Sequence, residues 1–397
     1  MTPVMPPKYV RQILFTLQGR GYMACLIGAC VRDMLLERHP LAWDLCTSAP
    51  PEDVLALFPG SLRSAARPDC VTVALGSHRV EVTAFRSDAE GSEPLQSDRV
   101  AFVGALTEEL GRRDFSMNAI ALSADGLLAD PFGGVDDIRE KRIRCVGEPA
   151  RRFAAEPAAM LRALRFSARL GFGIEINTLL AIQEAAPLAA ALPAERVRDE
   201  LEKLLLSDAP ETVHPLMELG LLDAWLRDRP MAHPGWRRLR RLQRRALCRW
   251  AGFAVLLERL GCIASVEGFL RALRLDSRTV RLCAAVNELL REPLPDTALG
   301  WKRALRRYEV PGVSCAAAVS DALYGGQSQK ALRALLRSGE CFSLKHLAVT
   351  GDDLLDLGLK GREVGEMLQF LLEYVMEYPE NNRRELLLSL AGGGSEE

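Results

Sequence analysis

Apolar residues recur at three- and four-residue spacing over 8–18, and Gly19 and Gly21 punctuate the end of that run. The spacing predicts a helix there, and the short apolar stretch at 22–27 predicts a strand. Gly28 closes the strand, and a second helix is expected over 31–36. The stretch "PLAWDLCTSA" (40–49) reads as a short apolar strand running into a small-residue turn. It carries one carboxylate, Asp44, with Ala42 two residues earlier on the same strand face. Residues 54–58 have helical spacing. Residues 71–75 and 80–85 alternate as adjacent strands, turned by Gly76-Ser77-His78. A polar loop, "DAEGSEPLQSD", covers 88–98. From about Glu140 the period changes to that of helices, with 153–170, 179–184, 195–206 and nearly everything beyond them expected to be helical. The pattern has no fixed-period repeat. An α/β head is therefore expected, followed by a long helical body, with a boundary near 140–150.

At 397 residues the chain exceeds one comfortable core, so two to four domains or subdomains are expected. The net charge is −1, so a polyanionic partner must meet local basic patches and not a global field. Ten cysteines are scattered, with no Cys-x-x-Cys pair and no histidine cluster beside them. That spacing supports neither a disulfide framework nor a zinc site, and it suits a reducing cytoplasm. No apolar run approaches 18 residues, and no basic-then-apolar leader opens the chain, so neither membrane insertion nor secretion is expected.

Two segments carry candidate chemistry. In "GACVRD" (28–33), a glycine between strand and helix lets backbone N–H groups approach a phosphate, and Arg32 would add charge one turn in. In "RRDFSMNA" (112–119), Arg112 and Arg113 with Asp114 and Asn118 could hold a triphosphate and a ribose hydroxyl. Each segment alone is equally an ordinary strand–turn–helix and a solvated charged face.

Their joint occurrence is more specific. "GACVRDMLL", "DLCTSAPPEDVLALF", "VEVTAFR", "RRDFSMNA", "DPFGGVDDI" and "LRALRFSARLGF" follow one another in one order, and "LPAERVRDELEKLLL" and "VTGDDLLDLGLKGREVGEMLQFLLEYV" continue the series. Together they resemble the class II tRNA nucleotidyltransferase (CCA-adding enzyme) and bacterial poly(A) polymerase family over nearly the whole chain. The resemblance implies an α/β head of the polymerase-β nucleotidyltransferase type followed by an all-α neck, body and tail. The implied limits are a head at 1–145, a neck at 146–210, a body segment at 211–275 and a tRNA-binding body and tail at 276–397. It implies addition of C and A from CTP and ATP to the 3′ end of tRNA, with Mg2+ and contact to the acceptor arm. Asp44 and Glu81 match family metal ligands. Gly28, Arg32, Asp33, Arg112, Arg113, Asp114, Asn118, Glu156, Arg162 and Arg165 match nucleotide-binding positions, with Arg32, Arg113, Arg162 and Arg165 neutralising the triphosphate. Nucleotidyl transfer suits two divalent ions, one activating the attacking hydroxyl and one on the departing pyrophosphate. Hard oxygen ligands must then converge from neighbouring strands.

The chain departs from the family where the chemistry is densest. The first aspartate of an Asp-x-Asp pair is Ala42, and the second glycine of the phosphate turn is Ala29. The strand that normally reads His-Gly-Thr-Val is Asp69-Cys70-Val71, and the aromatic and arginine positions of the following loop fall near Gly91 and Leu95. The neck motif that chooses the base, Glu-Asp-x-x-Arg, is Ala155-Glu156-Pro157-Ala158-Ala159. An alanine donates nothing to a base edge, so discrimination between C and A should be lost or severely weakened. Losing a shared metal ligand should cost on the order of 10³-fold in rate. Glu258-Arg259 stand where phosphohydrolase-bearing relatives have a metal-binding His-Asp pair, so no hydrolase activity is expected.

For RNA, Trp236–Trp250 ("WRRLRRLQRRALCRW") holds seven arginines. Read as one helix, it has an apolar stripe, with Arg237, Arg241 and Arg245 among the basic residues that would meet phosphates. A solvated face balanced by nearby acids fits equally. Lys360 and Arg362, beside glycine turns in the tail, are further candidates. The functional readings are a nucleotidyltransferase of reduced competence, a tRNA-binding pseudoenzyme, and a non-templated or A-only polymerase.

Overall fold

The computed structural model describes residues 5–65, 67–85 and 99–392. The loop expected over 88–98, with Gly91 and Leu95, lies outside them. The chain divides into two compact units, 1–192 with 219–221, and 193–218 with 222–397.

The first unit is built on β1 (Ala24–Ile27), β2 (Asp44–Thr47), β3 (Leu62–Arg63), β4 (Cys70–Leu75), β5 (His78–Ala84), β6 (Ala121–Ser123) and β7 (Leu128–Ala129). They form one sheet in the order β3-β4-β5-β2-β1-β6-β7. β2 runs parallel to β5, and the other neighbours are antiparallel. Leu45, Cys46 and Thr47 are buried, as a central strand requires. One core packs Cys25, Ile27 and Cys46 against Leu106, Leu110, Ala119, Ala121 and Val146. The expected strand across 40–45 is shorter than the apolar pattern suggests. β2 starts at Asp44, and Leu41 and Ala42 form an exposed bend. Pro40 has no N–H to give a ladder, and pairing with β5 begins at Asp44↔Glu81. Ala42 therefore does not share a strand face with Asp44.

The helix expected over 153–170 is two helices, Pro149–Ala155 and Ala158–Leu170. Pro157 separates them because it cannot donate to the preceding turn. Gly171, at φ 72°, ends the second helix in the left-handed region. β8 (Arg142–Ile143) then pairs in parallel with β9 (Gly173–Ile174), and Phe115 bridges Cys145. A cut at 145/146 thus runs through segments paired within one unit. The neck expected over 146–210 is itself divided at 192/193. Helix Ala194–Leu205 belongs to the second unit, where Trp250 Nε1 donates to Glu202 Oε2 at 2.8 Å.

The second unit is helical. Its main helices include Ala246–Arg259, Ser277–Leu289, Ala298–Arg307, Val310–Leu323, Ser328–Ser338 and Arg362–Glu377. One core gathers around Trp301, Leu305, Val313 and Leu332, and a second around Leu354, Leu371, Leu372 and Val375. The arginine-rich run is not one helix. Helix Gly235–Arg238 passes into a tight turn at Leu239–Arg241, Leu242 is extended, and a new helix starts at Ala246. Leu242 is buried against Gly252, where an added Cβ would come within 2.5 Å of its side chain. That anchor forces the break. Among the described residues no helix is long and apolar enough to cross a membrane.

Candidate functional site

Register places Asp44 on β2 directly beside Glu81 on β5. Burial pushes the Asp44 carboxyl up, Arg113 opposes that, Glu81 adds to it, and Arg67 opposes it. Glu81 is itself held by Arg67, whose Nη2 lies 2.5 Å from Oε2, with both side chains about half exposed (47% and 49%). Arg67 had no sequence signal beyond its place before a proline. The remaining family position, Ala42, contributes no oxygen. Among the described residues, no three His, Cys, Asp or Glu side chains form a set able to hold a metal ion. Two carboxylates, one already paired with a guanidinium, do not fit a two-ion site. Mg2+ held by one or two carboxylates completes its shell with water and substrate phosphates.

Gly28 sits at φ 76°, ψ −131°, a conformation that a side chain would strain. A Cβ there would also meet Arg113 Nη1 at 3.1 Å. The helix that follows, Ala29–Leu35, starts with Ala29 in the turn. Arg32 does not face an open phosphate site. It is fully buried, gives Nε and Nη2 to Asp33 Oδ1 at 2.9 and 2.7 Å, and gives Nη1 to Asn118 Oδ1 at 2.7 Å. Its guanidinium also lies 5.4 Å from the Phe166 ring. Burial depresses its pKa against the pull of Asp33. Arg32, Asp33 and Asn118 thus form an internal brace that joins the first turn, the 3₁₀ turn Ser116–Asn118 and the neck helix. A sequence shows the charge of Arg32 but not the partners that consume it.

The other residues of the implied nucleotide site converge from the head and the neck within this unit. Arg113 approaches Glu109 at 3.6 Å, and Arg112 approaches the same residue at 3.7 Å. Arg162 gives Nε to Asp114 Oδ2 at 2.6 Å, with Glu156 Oε1 at 3.6 Å. Arg165 lies over Phe166 at 4.1 Å, and Arg169 reaches Asp33 at 4.0 Å. Ala159 is fully buried in the first turn of helix Ala158–Leu170, one turn before Arg162.

The segment "DPFGGVDDI" forms a second brace, whose partners lie too far along the chain for the sequence to show. Asp130 accepts from the N–H groups of Gly134 and Val135 at 2.7 and 2.8 Å. Buried Asp137 accepts from Ser116 Oγ at 2.5 Å and from Arg142 Nε at 2.7 Å, and pairs with Arg144 at 2.7 Å. Burial alone would raise its pKa, but these bonds outweigh that and hold it below the usual carboxylate range.

In the second unit, Arg237, Arg241 and Arg245 are exposed, and among the described residues none has an ion pair. Their neighbours are committed elsewhere, Arg240 to Glu211, Arg244 to Asp208 and Arg238 to the Leu323 carbonyl. Lys360 is exposed, whereas Arg362 pairs along its own helix with Glu366 at 2.6 Å. Glu258 caps the next helix by accepting from Val266 N at 2.6 Å, and Arg259 bonds the Leu290 carbonyl.

The model of the poly A polymerase head domain matches residues 24–144, and that of the probable RNA and SrmB-binding site of polymerase A matches 171–233. A CCA-adding enzyme of Geobacillus sp. (strain WCH70) is 34% identical over 386 residues, covering 94% of this chain and 93% of that protein. One from Enterococcus faecalis (strain ATCC 700802 / V583) is 29% identical, covering 97% and 95%. The structure of the Bacillus stearothermophilus CCA-adding enzyme in complex with CTP superposes with a TM-score of 0.80 at 30% identity, covering 98% of this chain and 97% of that one. That of the Thermotoga maritima CCA-adding enzyme complexed with tRNA-CCA gives 0.69 at 20% identity, a likeness of fold, over 96% and 95%.

Proposed function

The chain belongs to the CCA-adding enzyme family, and from that premise we propose that it binds the 3′ end and acceptor arm of tRNA, together with CTP and ATP, while transferring nucleotides far more slowly than a complete site of this kind. The observation that carries the second half is the Asp44–Glu81 pair. It stands without an acidic partner at position 42, and Arg67 already neutralises Glu81. Among the described residues the side chains for a pair of metal ions are missing. What the site retains is positive charge on the nucleotide side, with Arg113 beside Gly28. Binding by charge outlasts catalysis when ligands are lost, since arginines need no metal to meet phosphate. The tRNA half is supported by relatives of matching length and by the exposed, uncommitted Arg237, Arg241 and Arg245. Lys360 belongs to the same surface chemistry, whereas Arg362, paired at an exposed site, contributes less.

The deciding experiment offers labelled CTP and ATP with Mg2+ to a tRNA lacking its CCA end and measures binding of the same tRNA in parallel. The expected outcome is clear tRNA binding with addition on the order of 10³-fold below that of a relative with both aspartates. Residual addition should not discriminate C from A, since Ala159 offers no donor. Robust, ordered addition of C, C and A would overturn the reading, and absent tRNA binding would overturn its other half.

A further inference from the structure

Residues two apart on a strand, and residues paired directly across strands, share one face of a sheet. Following the register from β3 to β7, the charged residues on the face of Asp44 are Asp44, Glu81 and Arg79 alone. Like charges set side by side across strands repel, so the Asp44–Glu81 pair needs a cation. Here a side chain of the chain itself supplies it. Arg67 stands in the turn that leads into β4 and gives Nη2 to Glu81 Oε2 at 2.5 Å. Its backbone is tied on both sides. The Arg67 N–H donates to Ser64 Oγ at 3.2 Å, and its carbonyl accepts from the Cys70 N–H at 2.9 Å. Pro68 follows with its φ fixed, so the turn delivers the guanidinium to β5.

We propose that Arg67 is the resident cation of this site, and that the site takes nucleoside triphosphates free of Mg2+. The inference rests on the nucleotide half of the function proposed above and adds the form in which the nucleotide binds. Arg67 and Arg79 together match the charge of Asp44 and Glu81, so the face keeps no surplus negative charge to draw a divalent ion. No third acid completes a coordination shell among the described residues. A triphosphate without metal keeps all its oxygens and its full negative charge. Guanidinium groups bind such oxygens directly, and Arg113 beside Gly28 is the group placed for it. Mg2+ on the same phosphates cancels part of that charge and gains little from a carboxylate that Arg67 already holds.

The test has two arms, both on the full-length protein. In the first, Mn2+ alone is titrated and followed by electron paramagnetic resonance. Arg67→Ala frees Glu81 and should bind Mn2+ at least about tenfold more tightly than the parent. Adding Asp44→Asn to that variant should cancel the gain. In the second arm, equilibrium dialysis measures CTP binding to the parent in EDTA and in Mg2+. Binding in EDTA should be at least as tight as in Mg2+. A parent that binds Mn2+ as tightly as Arg67→Ala would overturn the role of Arg67. CTP binding weakened about tenfold or more by EDTA would overturn the metal-free site while leaving the nucleotide half of the proposed function standing. CTP binding absent from both buffers would overturn that half, and the metal-free site with it.

Discussion

An aspartate returned to position 42 would stand on an exposed bend, whereas an arginine returned to position 159 would enter a fully buried helix face. The two repairs therefore differ in cost. Ala42→Asp should leave stability within about 0.5 kcal/mol in a thermal melt. It should raise nucleotide addition by less than about tenfold unless Ala159→Arg accompanies it, because the base-choosing position still offers no donor and Arg67 still holds Glu81. Ala159→Arg should destabilise by about 3 kcal/mol or more, since a guanidinium placed there needs partners that are not provided. Arg32 shows the converse. Arg32→Ala removes a buried charge braced by Asp33 and Asn118, and should cost about 3–5 kcal/mol in denaturant unfolding, far more than a phosphate-facing surface arginine would. The residue types of this site were legible in the sequence, but their commitments were not. "GACVRD" announces a charge at position 32, yet the oxygens that absorb it lie at 33 and 118, and only the folded chain brings 118 there. Arg67 was invisible for the same reason, since its partner Glu81 lies 14 residues on, on the strand beside β4.

Elements were easier to read where one local force decides them. The strands at 71–75 and 80–85 follow from alternation, and the structure has them at Cys70–Leu75 and His78–Ala84, the second beginning inside the expected turn and ending one residue early. Where local preference meets a buried anchor, the pattern misleads. The arginine-rich run has helical spacing, but Leu242 is drawn into the space above Gly252 and the helix breaks. Gly134 is another such position, because a Cβ there would come 2.1 Å from the Ser116 carbonyl oxygen. Gly134→Ala should therefore lower stability by at least about 2 kcal/mol, measured by chemical unfolding. Asp137, in the helix that Gly134 begins, gives the pH dependence. Its pKa is lowered by folding, so its stabilisation is complete above the unfolded value near 3.8 and is lost as pH falls through the folded one. A plot of melting temperature from about pH 5 down to about pH 2 should fall less steeply for Asp137→Asn than for the parent.

At the scale of the whole chain, the change in composition near Glu140 correctly separates an α/β head from a helical body, yet it does not mark where a unit ends. β8 needs β9, and Asp114 needs Arg162, so the first unit runs on to 192. A fragment ending at 145 should be insoluble or molten by near-ultraviolet circular dichroism, and one ending at 192 should give a cooperative melt. The early glycine turn bears on how such a protein is judged by descent. Gly28 is held by a backbone angle that other residues resist and by the place Arg113 takes beside it, and Arg32, Asp33 and Asn118 are held by one another. A lineage that had given up catalysis would still inherit all four, because losing any of them costs the fold. The most recognisable signature of the head is thus a record of what folding demands. Past or present activity is written instead at positions that folding leaves free to drift, and position 42 is the plainest of these.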